Sequence, residues 1–226
     1  MHATDIRLSA PEIYLRQNSP MEKLDLTKKY KTYYHAPTRP EIVDIGPAQY
    51  LSLTGTGDPS GEAFAANVAA LYPVAYAIKF RCKERGNDFT VAKLEGQWWF
   101  DMQAFPGLTM ADAPVKVPRS EWSYRLLIRL PDFVTAEDIQ AGIATAVKKG
   151  VPQAEKVSLF SMHEGKSVQM LHKGPFSREG ESLQVMHEFM VAQNLSHNGL
   201  HHEIYLSDFR KTPQEKLKTI LREPVK

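Results

Sequence analysis

The segment EWSYRLLIRL, residues 121–130, alternates between apolar and polar side chains. One side of this segment is aromatic and aliphatic, while the other carries Ser123, Arg125 and Arg129. Such a period of two is typical of a β-strand that packs one face against a core. The segment therefore predicts a sheet, and the patterns on either side of it indicate what covers that sheet.

Towards the N-terminus, two short strands are predicted at Glu41–Ile45 and Gln49–Thr54. They are joined by the turn dipeptide Gly46-Pro47, so we expect them to form a hairpin. A helix follows, in which Pro73 is expected to produce a kink or a split. Its apolar residues recur every three or four positions and form one stripe: Phe64, Val68, Leu71, Ala75, Ile78 and Cys82.

Towards the C-terminus, the same order of elements returns without clear residue identity. A hairpin is predicted at 156–163 and 167–173, a helix at 179–194, and strands at 201–207 and 218–225. The pattern indicates an α+β fold with an antiparallel sheet and helices on one face. Two modules, about 41–134 and 155–226, would leave a central cleft between them, which is a favoured place for a ligand.

Composition excludes several classes of protein. The 226 residues are 42% apolar and 24% charged, which is the ordinary balance of a soluble domain. The net charge of +2 comes without a dense basic cluster, so direct nucleic-acid binding is not expected. Cys82 is the single cysteine, which excludes a disulfide framework and a four-cysteine zinc site. Since neither a long apolar run nor a secretory signal was found, we expect no membrane partner and a cytoplasmic location.

Residues 1–20 contain two prolines and no periodicity. We expect them to form a flexible N-terminal extension that is dispensable for folding and binding, and Met21 is a candidate natural start. The single folded domain would then be residues 21–226.

Three motifs fail as cofactor or metal sites. GTGDPSG, residues 55–61, lacks the dinucleotide spacing and a Walker lysine. His187-Glu188 begins like a zinc-protease helix, but position 191 is Val. His197, His201 and His202 lack a recognisable completing set of ligands. We therefore expect neither a cofactor nor a metal.

The segment HHEIYLSD, residues 201–208, is the strongest candidate for chemistry. On a strand, His201, Glu203 and Tyr205 share one face. A carboxylate beside an aromatic ring indicates either an exposed polar face or an acid that lines a cleft. In QWWF, residues 97–100, one of the two consecutive indoles must face away from the core. That indole is either surface cover or a pocket wall.

These motifs together resemble the GyrI-like (gyrase-inhibitor-like) small-molecule-binding family. The resemblance runs from about residue 22 to 226 through LYPVAYAIK, LEGQWWFD, RLLIRLPDFVT, VQMLHKGPF and HHEIYLSD. It is greatest with the stand-alone branch, which lacks a DNA-reading domain and includes cyclopropanoid cyclopropyl hydrolases.

The resemblance implies two βαββ modules of SHS2 type, related by a pseudo-twofold axis. It implies that Glu203 contacts a hydrophobic or cationic ligand. In a hydrolase, we expect Glu203 and Tyr205 to carry the catalysis, with Glu203 as the base and a phenol, Tyr205 or Tyr76, as the hydrogen-bond donor to the developing oxyanion. In the family's His-x-Gly-Pro-Tyr turn, Phe176 replaces the tyrosine here, so no phenol is available at that position. The predicted ligand-binding residues are Trp98, Trp99, Tyr76, His172, Phe176 and Met186, of which Met186 is taken from the inward side of the predicted helix 179–194.

Three functions remain open from the sequence. The chain could sequester aromatic xenobiotics, it could hydrolyse strained electrophiles in the same cleft, or it could inhibit another protein, as the gyrase inhibitor's name suggests. The first two share nearly all residues. The third predicts a large exposed apolar patch instead of a cavity. Oligomeric state is not readable from the pattern.

Overall fold

A computed structural model describes residues 23–226, so the predicted extension and Met21 lie outside the described residues. Within the described part, six helices and eight strands form. The helices are α1 (Leu26–Lys29), α2 (Lys31–Tyr34), α3 (Glu62–Glu84), α4 (Ala113–Lys116), α5 (Ala136–Lys148) and α6 (Glu179–Ala192). The strands are β1 (Glu41–Ile45), β2 (Ala48–Thr56), β3 (Leu94–Trp99), β4 (Ser123–Leu130), β5 (Ser158–Met162), β6 (Gly165–Lys173), β7 (His201–Tyr205) and β8 (Lys218–Pro224).

All eight strands join one antiparallel sheet in the order β1-β6-β8-β7-β3-β4-β2-β5. The first module contains β1–β4, and their counterparts in the second module are β5–β8, taken in the same order. If the strand order is reversed and each strand is replaced by its counterpart, the same order results. The fold is therefore α+β with pseudo-twofold symmetry, and the axis passes between β3 and β7.

Neither predicted hairpin forms. β1 pairs with β6 and β5 pairs with β2, so each module gives its first strand to the other. The turn dipeptide reverses the chain without making its two flanking strands neighbours. Ile45 and Ala48 lie three residues apart and span at most about 11 Å. In a flat sheet, the six steps from β1 to β2 would span roughly 29 Å. The sheet must therefore curve strongly.

The helices α3 and α6 cover the convex face. The apolar stripe of α3 packs against the sheet strands of the first module. Pro73 does not split this helix, which is continuous from Glu62 to Glu84. The helical bonds and the packing on either side hold α3 together although proline removes one hydrogen bond. By length and composition alone α3 could span a bilayer, but half of its most apolar window is buried in the protein.

A tyrosine from α2 fills the concave face. The hydroxyl of Tyr33 bonds to Tyr50 on β2 and to Glu95 on β3. The guanidinium carbons of Arg129, on β4, and Arg222, on β8, each lie 4.4 Å from its ring centroid. One ring thus contacts strands that are four places apart, which requires the sheet to wrap around it.

A buried charge cluster ties this N-terminal segment to the sheet. Arg222 donates to Glu164 (3.0 Å) and to the carbonyl oxygen of Tyr33 (2.8 Å). His202 Nδ1 bonds to Glu164 (2.9 Å), and His202 Nε2 lies 3.1 Å from Glu95. Burial alone would lower the pKa of His202, but the two glutamates raise it to about 9. Burial alone would raise the pKa of Glu164, but the charges of His202 and Arg222 lower it to about 2. The cluster is therefore charged and paired near neutral pH.

Removing the central cation of this cluster is expected to be costly. Arg222→Met leaves Glu164 and the Tyr33 carbonyl short of a partner, so the free energy of unfolding falls by about 3–5 kcal/mol. The control Arg119→Met removes exposed contacts, an ion pair with Asp58 and a hydrogen bond to Ser60, together with a cation–π contact to Trp122 at 6.0 Å, and costs about 0–1 kcal/mol. Urea denaturation of both variants measures this difference, and equal losses would contradict it.

Candidate functional site

The candidate site lies on the helix-covered face, where β3 and β7 pair across the pseudo-twofold axis. Trp98 is opposite His201, and Gly96 is opposite Glu203. Tyr205 follows on the same face of β7. The strand alternation thus brings Glu203, Tyr205 and Trp98 together at the centre of the molecule. The Glu203 side chain keeps 11% of its surface exposed.

Close polar contacts connect these three side chains. Trp98 Nε1 donates to the Tyr205 hydroxyl (3.0 Å), and Glu203 lies two residues before Tyr205 on the same face of β7. Burial, with the charge of Glu203 close by, raises the pKa of Tyr205 well above its usual value, so the phenol keeps its proton. A β-carbon at Gly96 would lie 2.8 Å from the Tyr205 oxygen and 3.0 Å from Trp98 Nε1. Glycine is therefore required for the two rings to meet above β3.

Aromatic rings enclose Trp98 and Tyr205. Phe176 and Phe209 lie 5.8 and 5.9 Å from Tyr205 and 6.0 Å from each other, measured between ring centroids. On the other side, Phe64 stacks on Trp98 at 5.8 Å, and Trp122 meets Trp98 edge-on at 6.0 Å. Such spacings are typical of favourable aromatic contacts. The walls suit a planar aromatic molecule.

Two histidines and a second glutamate connect Glu203 to the surface. His201 Nε2 lies 3.3 Å from Glu203, and His201 Nδ1 lies 2.6 Å from Glu223. The other Glu223 oxygen is 3.2 Å from the half-exposed His197. Burial alone would lower the pKa of His201, yet Glu223 and Glu203 raise it to about 10. His201 is therefore a buried cation between two carboxylates.

A third glutamate, Glu179, was not expected from the sequence. It is the first residue of α6, and its side chain is buried with Oε1 free of any hydrogen-bond partner in the described structure. The pKa of Glu179 is raised well above its usual value by burial and then by the charge of Glu203. An acid in the first turn of a helix usually indicates only a favourable charge near the helix N-terminus, so no pattern singled it out.

The structure separates the remaining predicted ligand-binding residues. Trp98 faces Glu203, whereas Trp99 points to the opposite face beside Arg125. Tyr76 is 47% exposed and stacks on Phe80 at the outer side of α3, away from Glu203. Of the eight predicted residues, Glu203, Tyr205, Trp98 and Phe176 are brought together.

His172 and Met186 have structural environments. His172 bonds to Ser182 (2.9 Å) and to the carbonyl oxygen of Pro175 (3.2 Å), so it fastens the turn between β6 and α6. Met186 is 1% exposed and packs in the apolar core beneath α6 with Met170 and Leu221. Met186 was predicted to bind the ligand because it lies on the inward side of its helix. In the structure, this side faces the core of the second module.

Two cavities lie on the other face of the sheet, and Glu203 lines neither. One, of about 730 Å³, is bordered by Lys31, His35, Glu41 and Lys93, and the other, of about 510 Å³, by Tyr30, Asp44 and Arg129. Within residues 23–226, no three histidine, cysteine or acidic side chains are arranged to hold a metal ion.

Gly96→Ala tests how the aromatic and carboxylate groups are held. The added methyl group forces Tyr205 and Trp98 apart, which is expected to cost about 1–3 kcal/mol of stability and to change tryptophan emission. Gly46→Ala is the control, because nothing lies within 4 Å of a β-carbon there. An unchanged emission spectrum in Gly96→Ala would contradict the close approach.

Known proteins share this fold and this sequence pattern. The fold is similar to that of an uncharacterized conserved protein from Listeria innocua, with a TM-score of 0.80, 36% identity, and coverage of 90% of this chain and 100% of that one. A structure from Listeria innocua described as a hydrolase is also similar, with a TM-score of 0.76, 36% identity and the same coverage.

More distant proteins share the fold alone. The C-terminal domain of EcmrR is similar with a TM-score of 0.52 at 10% identity, over 83% of this chain and 97% of that domain. No curated protein is significantly similar in sequence. Residues 38–226 match the GyrI-like small molecule binding domain, which is most of the chain. The chain therefore belongs to the GyrI-like small-molecule-binding family.

Proposed function

We propose that this protein binds planar, hydrophobic or cationic aromatic molecules at the β3–β7 junction and hydrolyses strained electrophiles among them. The observation that carries the proposal is the grouping of Glu203, Tyr205 and Trp98 inside an aromatic enclosure. The similar hydrolase from Listeria innocua supports a catalytic role, since it covers nearly the whole chain at 36% identity.

The charges of the site favour a cation or a polarised ligand. Glu223 lies 2.6 Å from His201 and 3.2 Å from the half-exposed His197, whereas Glu203 has His201 alone, at 3.3 Å. The carboxylate of Glu203 is therefore the less fully compensated of the two. Aromatic faces add attraction for a cation, by about 0.5–2 kcal/mol for each contact. A planar cation placed over Trp98 would thus meet both a ring face and the carboxylate.

Access requires a local movement. Glu203 is nearly enclosed, and Phe176 and Phe209 pack over Tyr205. Both phenylalanines lie in connecting segments outside the sheet and the long helices, and Phe176 is 37% exposed. We infer that these two rings open to admit the ligand and then close on it, which would exclude stray water.

The proposed reaction opens a cyclopropane conjugated to a dienone carbonyl. Water attacks a ring carbon, the strained carbon–carbon bond breaks, and its electron pair flows to the carbonyl oxygen. Water is a poor nucleophile at neutral pH, so a positioned base helps by about 10²–10⁴-fold. Glu203 would take the proton of the water, while the neutral phenol of Tyr205, two residues along the same strand face, stays beside it.

Binding is expected to quench the fluorescence of the tryptophans in the enclosure. A planar aromatic cation should quench wild-type emission in a saturable way, because the ligand stacks close to Trp98, and Trp122 lies 6.0 Å from Trp98. Trp98→Phe together with Trp122→Phe should remove the saturable component. The control Trp99→Phe should keep it, since Trp99 faces the other side of the sheet. Saturable quenching that survives the double change would place the ligand elsewhere.

The rate of turnover tests the role of Glu203 as the general base. Glu203→Gln keeps the shape of the side chain but cannot accept a proton, so kcat for a cyclopropanoid should fall by at least about a hundredfold. The control Glu188→Gln alters an exposed glutamate of α6 and should retain wild-type kcat. Near-normal turnover by Glu203→Gln would overturn the assignment. Binding without turnover in wild type would instead favour a sequestering protein.

A further inference from the structure

The proposed ring opening needs a proton donor as well as a base. Negative charge develops on the dienone oxygen, and a donor close to that oxygen stabilises it. Tyr205 is already engaged, because its oxygen accepts a hydrogen bond from Trp98 and its hydroxyl lies close to the charge of Glu203. Tyr76 is also unsuitable, since it lies at the outer side of α3. The described site therefore lacks a donor among the residues that the sequence predicted.

Glu179 has the properties that the missing donor requires. Its side chain is buried at the start of α6, three residues after Phe176, whose ring packs against Tyr205. Its carboxyl group interacts electrostatically with Glu203 and His201. Its Oε1 atom has no hydrogen-bond partner in the described structure. A buried polar atom without a partner is uncommon in proteins and is a natural position for a ligand group.

We propose that Glu179 is the proton donor to the substrate oxygen, opposite Glu203 as the base. This inference rests on the proposed hydrolase function and assigns its second half. It places a carboxylic acid and a carboxylate in one enclosed site, where they would act on the two ends of the same conjugated system.

The environment keeps Glu179 in its neutral form. Burial raises the pKa of its carboxyl group, and the charge of Glu203 raises it further, whereas His201 opposes both effects. Two buried carboxylates that interact electrostatically cannot both be ionised without a large cost, so one of them keeps a proton. Glu203, which faces the cation His201, is the better place for the charge.

The proton balance closes without an external acid or base. The water oxygen forms a bond to the ring carbon as the cyclopropane bond breaks, and one water proton passes to Glu203. The electron pair reaches the dienone oxygen, which takes the proton of Glu179 and becomes a phenol. Glu203 then carries a proton that Glu179 has lost. A transfer from Glu203 to Glu179 restores the site, so one water is consumed for each substrate.

A substrate series tests this role. Cyclopropanoids whose phenol products differ in acidity need different amounts of help from a donor. Glu179→Gln should lower kcat by about a hundredfold for the least acidic phenol, and the loss should shrink as the phenol becomes more acidic. Glu203→Gln should lose the same factor throughout the series. Glu181→Gln, an exposed change in the same helical turn, should match wild type.

A second measurement does not depend on turnover. The infrared difference spectrum between wild type and Glu179→Gln near neutral pH should show the loss of a protonated carboxyl band. Loss of a carboxylate band instead would overturn the inference, as would a Glu179→Gln penalty that is constant across the series. If wild type consumes no strained substrate, the proposed function fails. If only Glu203→Gln is impaired, the hydrolase stands and the donor assignment fails.

Discussion

The exchange of β1 and β5 between the two modules is the constraint on which the rest of the structure depends. Each strand is joined to its own module by a two-residue link but pairs with the other module. The sheet must curve to satisfy both links, and neither module can separate without breaking the strand pairs of the other. The curvature creates a concave face that tyrosines and buried ion pairs fill. The convex face is left to the helices and to the candidate site.

The strand β7 serves both faces because its side chains alternate. His202 points into the concave face and pairs with Glu164 and Glu95 in the cluster that fastens the N-terminal segment. His201 and Glu203 point to the convex face and join the candidate site. Charge is thus buried on both sides of the same five residues. The first set is surrounded by fixed groups of opposite charge, whereas the second leaves a carboxylate close to solvent and a neighbouring carboxyl oxygen unpartnered.

Much of the fold could be predicted from the sequence because the patterns are strong and local. The alternation in residues 121–130 and the helical stripe that contains Leu71 indicated β4 and α3. Strand exchange could not be predicted, because Gly46-Pro47 shows that the chain turns but does not show which strand becomes the neighbour. The role of Tyr33 was also hidden, since residues 24–37 have no periodic pattern and the contacts of Tyr33 come from distant strands.

The candidate site could be predicted in part, because the alternation of a strand shows which of its side chains share a face. Glu203 and Tyr205 stood out as an acid and a phenol on one face of a strand, but Trp98 and Trp99 could be told apart only by the register with β7. Tyr76 shares the side of α3 that turns outward, and Glu179 looked like an ordinary first-turn acid. Burial and missing hydrogen-bond partners distinguish such residues, and both depend on the tertiary structure.

The most direct measurement is the fate of oxygen in the product. Wild-type protein is incubated with a dienone-fused cyclopropane in water enriched in heavy oxygen, and the product is analysed by mass spectrometry beside a protein-free control. The account predicts a ring-opened phenol that carries one labelled oxygen on the former cyclopropane carbon, formed faster than in the control. Substrate that is bound but recovered unchanged, or a product without the label, would contradict hydrolysis at this site.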